Sequence, residues 1–220
     1  MTKRSASSII LAVFLLSAAG VLPLRADESE SWLNNSLSLR FGPAMRVIVT
    51  NETRYEELTF RGSYLRNWQA GLLVFIPGET YLGFLYKRQT EDVPPFGPIE
   101  NRFTLEGGWI YRFLQGWAFN IRFRTEIRRF EDALEDNHLR LRLRAGLSTS
   151  LRFGRLRLRP FLSTEPFFDT IEDRIFRNRL SAGTAVVLSP AADVIIGYTL
   201  QLTRGQEPLH ILNSGINFRF

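Results

Sequence analysis

Arginine at alternate positions is the feature of this 220-residue sequence that could do chemistry. From Leu139 to Arg144 the order is Leu-Arg-Leu-Arg-Leu-Arg, and from 155 to 159 it is Arg-Leu-Arg-Leu-Arg. A guanidinium is planar, stays charged and offers a fork of donors that grips carboxylate or phosphate bidentately. Two-residue spacing on an extended strand stacks such forks on one face. The pattern takes in Arg122, Arg124 and Arg128, then Arg140, Arg142 and Arg144, then Arg155, Arg157 and Arg159, then Arg177 and Arg179. Carried on consecutive strands, these side chains make a cationic wall. Glu106, Glu126 and Glu165 share its parity and supply counter-charge. Such a wall can pass small anions from fork to fork. Alternatively, its charges pair with one another and close the interior. Arginine outnumbers glutamate on this face, which leaves positive charge over and favours the anion track.

Other chemistries find little support. There is no cysteine, which removes disulfides, thiolate metal sites and thiol nucleophiles. The two histidines are His138 and His210, both at predicted loop ends and read as interfacial polar residues. Ser148 and Ser150 share the strand face of His138, but the nearer is ten residues away, roughly 30 Å along a strand. A Ser–His site of the lipid-hydrolase kind needs hydrogen-bond reach and is the least favoured function. No G-x-S-x-G, phosphate loop, dinucleotide fingerprint or metal cluster appears, so no enzyme, cofactor or metal is expected. Acidic pairs such as Glu131-Asp132, Glu135-Asp136 and Glu172-Asp173 read as solvated loops. The net charge is +6, with lysine only at Lys3 and Lys87. Its arginines alternate with apolar residues rather than forming a solvated block, which argues against nucleic acid.

The elements that must carry these arginines are β-strands. Leu139, Leu141, Leu143 and Leu147 face opposite to the arginines, giving one apolar and one cationic face. Similar alternation runs through 102–113, 117–130, 176–188 and 194–203. In 64–76 both faces are apolar. Short turns at Gly42-Pro43, Pro77-Gly78, Gln115-Gly116, Gly154 and Ser189-Pro190 alternate with longer, more acidic loops. Outer-membrane barrels show that asymmetry. Phe113, Trp117 and Phe153 flank the short turns, where an aromatic girdle lies in such barrels. Residues 1–26 read as a cleaved secretory signal: Lys3 and Arg4, an apolar stretch from Ile9 to Leu16, then Leu24-Arg25-Ala26 before Asp27. Residues 27–220 then form one all-β domain, a closed antiparallel up-and-down transmembrane β-barrel. Eleven runs are countable. Because single-chain bacterial barrels are normally even, the count leans to ten, with twelve as the alternative and 32–41 in doubt as a spanning strand. A soluble lipocalin-type barrel would need polar outer faces, and Val194, Ile196, Tyr198, Leu200 and Leu202 do not provide one.

The chain ends S-G-I-N-F-R-F, with Phe218 and Phe220 on one face. That resembles the terminal signal by which outer-membrane barrels engage their insertion machinery. Four stretches, N-H-L-R-L-R-L-R-A-G at 137–146, R-P-F-L-S-T-E-P-F-F at 159–168, R-N-R-L-S-A-G-T-A-V-V-L-S-P at 177–190 and H-I-L-N-S-G-I-N-F-R-F at 210–220, resemble the uncharacterised family catalogued as domain of unknown function 2490. The likeness covers most of 100–220, and 30–90 only in general pattern. It implies a β-barrel in the bacterial outer membrane and carries no activity or binding residues. The expectation is a monomeric barrel exported to the outer membrane, in contact with its lipid. Its expected function is a passive channel for small anionic solutes, with a closed structural barrel as the alternative.

Overall fold

The computed structural model describes residues 28–92, 98–114, 116–131, 136–154 and 156–220. The signal assigned to 1–26 and the arginine at 155 lie outside these residues. The described chain is all strand and turn: β1 (Ser29–Phe41), β2 (Met45–Tyr55), β3 (Ser63–Ile76), β4 (Thr80–Glu91), β5 (Ile99–Phe113), β6 (Trp117–Phe130), β7 (His138–Thr149), β8 (Leu151–Phe153), β9 (Leu156–Asp169), β10 (Arg174–Ser189), β11 (Ala192–Thr203) and β12 (Leu209–Arg219). Each pairs with its neighbours around a closed ring. β8 continues β7 past Ser150 in unchanged register, Ser148 facing Phe161 and Leu151 facing Leu158. The barrel therefore has eleven staves, the eleven runs of the sequence, where parity had argued for ten. The run 32–41 is a full stave.

An odd count forces one departure from antiparallel order. β1 and β12 run parallel, with Ser29 opposite His210 and Ser38 opposite Arg219. Arg40 N donates to Phe220 O at 2.7 Å and Phe220 N to Ser38 O at 2.9 Å, so the last residue is tied into the first stave. All other pairings are antiparallel hairpin neighbours. Gly42, Gly78, Gly116 and Gly154 take left-handed φ of 58 to 92° in four of the short turns. Glycine enters that region without a Cβ clash, so the turns can be tight.

The polarity of this barrel is inverted relative to a water-soluble core. Large apolar side chains stand exposed on the outer face, Phe84 at 57%, Leu105 at 61% and Ile196 at 53%. The most buried side chains include Glu100, Glu126 and Asp193, the last two at 1% and 0%. Strand alternation carries this pattern: in β6, Ile121, Phe123 and Ile127 face out while Arg122, Arg124 and Glu126 face in. The doubly apolar run in β3 has a local reason. Leu72, Val74 and Ile76 face out, and Leu73 faces in at 6% exposure over Gly83.

Candidate functional site: the lumen

Inward side chains surround a lumen cavity of about 840 Å³. Its long-loop half is a charged network built on β5, β6, β7 and β9. Glu100 accepts from both Arg102 (Nε 2.8 Å) and Arg128 (Nε 2.6 Å). Arg102 reaches on to Glu126 at 3.4 Å, and Glu126 accepts from Arg142 Nη1 at 2.6 Å. Arg142 Nη2 donates to Glu165 at 2.9 Å, which also accepts from Arg122 at 2.9 Å. Seven side chains are thus linked from one rim to mid-barrel. Beside them Arg124 pairs with Glu106 at 2.5 Å and Arg140 with Asp169 at 3.1 Å. In β2, Glu52 holds Arg54 at 2.8 Å and accepts from Asn34 and Asn67.

Not every cation is matched. Arg144 Nη2 donates to Ser163 at 3.1 Å, Arg177 Nε to Thr203 at 3.1 Å and Arg179 Nε to Gln201 at 2.8 Å. The Arg179 guanidinium also lies 4.7 Å from the Trp32 ring centre and 4.9 Å from that of Phe167, in cation–π range. Neutral groups thus hold these three, and none of them, nor Lys87, has an ion-paired carboxylate among the described residues. Eleven cationic side chains and five carboxylates line the cavity. Buried Glu100 and Asp169 add two more acids in the same wall, so positive charge remains in excess.

Toward the short turns the lumen becomes neutral. Leu73, Leu85, Tyr81 and Phe161 face in, and they lie flat because glycines face them. A Cβ at Gly108 would collide with the Tyr81 ring, and one at Gly183 would come within 2.8 Å of the Phe161 ring. Beyond this belt, at the short-turn mouth, Asp193 binds both Arg159 and Arg219.

The eight described arginines assigned to 122–144 and 177–179 all line the cavity, as do Glu106, Glu126 and Glu165. Arg157 and Arg159 are on the same parity but at the mouth. Phe218 and Phe220 are exposed, on the outer side of the last stave. His138 differs from its reading as an interfacial residue. Its Nε2 lies 3.1 Å from Asp169 and 2.9 Å from Arg128, and its Nδ1 2.8 Å from Asp136 O, so both ring nitrogens are engaged. His210 sits on the outer face against the Tyr198 hydroxyl at 2.5 Å. Sequence reasoning missed Glu52, Glu100, Asp169, Asp193, Arg54 and Lys87 as lumen residues; Arg102 shares the parity of Glu106 in the run 102–113. Glu100 lies just before the alternating run 102–113 and Asp169 at the far end of β9 from its arginines, and both continue the parity of their strands. Outside the strands, the Asn101 amide, with Arg88 behind it, holds the Glu131 carboxyl below its ordinary value.

Comparison with known families matches residues 29–208 to the family described as "Protein of unknown function (DUF2490)". The chain belongs to that family. The DUF2490 match runs from the start of β1 to the loop before β12. No curated protein matches the chain. Among solved structures, the beta domain of the Bordetella autotransporter BrkA is similar at 11% identity with a TM-score of 0.48, covering 82% of this chain and 92% of that one.

Proposed function

We propose that this protein is a monomeric bacterial outer-membrane β-barrel that passes small anionic solutes through an arginine-lined lumen. The apolar outer face supports the membrane setting, since lipid tolerates exposed Phe84, Leu105 and Ile196 and a closed ring leaves no unpaired strand edge. Export through a signal in 1–26, and insertion guided by the last stave with Phe218 and Phe220, belong to the same reading. One observation carries the anion track: Arg144, Arg177, Arg179 and Lys87 border the cavity without an ion-paired carboxylate among the described residues. A passing anion can take up these charges and release them, whereas a guanidinium already locked to two glutamates cannot serve. No enzymatic step is part of this reading.

Conductance of refolded protein in a planar bilayer under a salt gradient tests this. The expected result is discrete anion-selective openings, with selectivity reduced or reversed in Arg144→Glu and Arg179→Glu. Cation selectivity in the parent protein would overturn the track. A silent bilayer containing demonstrably inserted protein would favour the second reading, a closed structural barrel. The specific support for that alternative is the network from Arg128 through Glu126 to Arg122.

A further inference from the structure

We propose that the arginines of the short-turn mouth form a binding site for a phosphate-class anion, separate from the charged network of the central lumen. The strand register sets Arg40 directly opposite Arg46 and Arg152 directly opposite Arg157. Like charges directly opposed on neighbouring strands repel. In the central lumen the same arrangement is relieved. Arg102 faces Arg128 and the two share Glu100; Arg124 faces Arg142, and Glu106, Glu126 and Glu165 pair with them. At the mouth neither opposed pair has an ion-paired carboxylate among the described residues.

Of the other mouth arginines, Arg112 pairs with Glu79 of the β3–β4 turn, and two share a single acid. Arg159 and Arg219 converge on Asp193, which is fully buried and also accepts from Asn217 Nδ2 at 2.7 Å. Asp193 therefore orients two guanidinium groups while neutralising one, and Arg159 Nε remains buried without a hydrogen-bond partner among the described residues. The two groups are continuous. Arg40 N bonds Phe220 O across the seam, next to Arg219. Neighbours steer the other two as well: Arg40 Nε donates to Gly42 O at 3.1 Å, and Arg46 lies over the Phe75 ring at 4.8 Å. The result is an arc of forks on β2, β1, β12, β9 and β8.

An arc of this kind selects its ligand. A carboxylate has two oxygens and satisfies one fork. A phosphate presents three or more acceptor oxygens and can be shared by forks from several strands. Free phosphate compounds and phospholipid headgroups both offer this chemistry. The headgroup source depends on the outer-membrane reading, because it relies on exposed Phe41, Met45, Phe153 and Leu156 at the same rim lying against lipid. The anion site itself does not.

The test uses refolded full-length protein in zwitterionic detergent at low salt, titrated with pyrophosphate by calorimetry. Saturable binding is expected, weakened at least about tenfold in the Arg46→Gln/Arg157→Gln double variant and unchanged in Arg204→Gln, an exposed position in the loop between β11 and β12 at the opposite end. In parallel, protein from nanodiscs containing phosphatidylglycerol is examined by native mass spectrometry. Retained phosphatidylglycerol that the double variant loses, with pyrophosphate inert, identifies a headgroup as the ligand. Neither probe distinguishing parent from double variant would overturn the proposal. Binding that survives the double variant but falls in Arg144→Gln would place the anion in the central lumen, overturning the mouth site while sparing the passage. Removing opposed charges should leave the barrel as heat-resistant as the parent on a gel. Loss of folding in the double variant would refute the unrelieved repulsion on which the site rests.

Discussion

Glu126 is held between Arg102 and Arg142 at 1% exposure, and each of those arginines is itself shared with another glutamate. Removing one member of a buried ion network leaves its partners desolvated and uncompensated, which costs far more than the pair contributes. Glu126→Gln should lower unfolding stability by about 3–5 kcal/mol, read from urea midpoints of the refolded protein. Arg144→Gln should cost no more than about 1 kcal/mol, because it gives up one hydrogen bond to Ser163. The inward parity of both residues was legible in the sequence. Their difference was not, since the partners of Arg142 lie on β6 and β9, 16 and 23 residues away. Strand alternation says which way a side chain points and nothing about which neighbour meets it.

At the scale of the strand, the seam between β1 and β12 carries the greatest topological weight. Its ends are 181 residues apart, as in the bond from Ser36 Oγ to Asn217 Oδ1 at 2.5 Å. Gly215 makes the approach possible, because a Cβ there would collide with the Asn34 carbonyl. The chain has no cysteine of its own, so the register can be tested directly. Leu33 and Ser214 are opposite one another in the parallel pairing. A Leu33→Cys/Ser214→Cys variant should form an intramolecular disulfide in the folded state, seen as a reductant-sensitive shift on a non-reducing gel. Displacing either cysteine by three residues along its strand should abolish it. A ten-stave barrel without β1 would give no such crosslink. Individual strands were readable from period-two alternation and turn glycines, but a parallel seam leaves no local mark, because it depends on which distant edge remains unpaired after ten hairpin steps.

For the whole molecule, the inverted polarity has a physical consequence that fractionation can read. Exposed side chains such as Trp68, Phe84, Leu105 and Ile196 belong to one continuous outer surface, and water would penalise it heavily. Expressed in a Gram-negative host, the protein should stay in the outer-membrane fraction, require detergent for extraction and migrate differently on a gel before and after heating. Release into the soluble fraction by osmotic shock would sink the membrane assignment. The lumen adds a charge asymmetry along the barrel axis, from an ion-paired network near the long loops to a short-turn mouth whose arginines outnumber their acids, Asp193 and Glu79, among the described residues.

Much of this was determined by the sequence alone. The alternation of apolar and charged residues dictates strands, their length and turn spacing dictate a meander of hairpins, and the parity of Arg122 to Arg179 dictates a cationic inner face. These are properties of a few neighbouring residues, set by pleat geometry and turn sterics. Only the tertiary structure decided the stave number, the parallel closure, the pairing of Glu100 and Asp169 with lumen arginines, and the four lumen cations without an ion-paired acid among the described residues. Each of those depends on which strands become neighbours and how their registers align, and that is settled by ring closure rather than by any local stretch of chain.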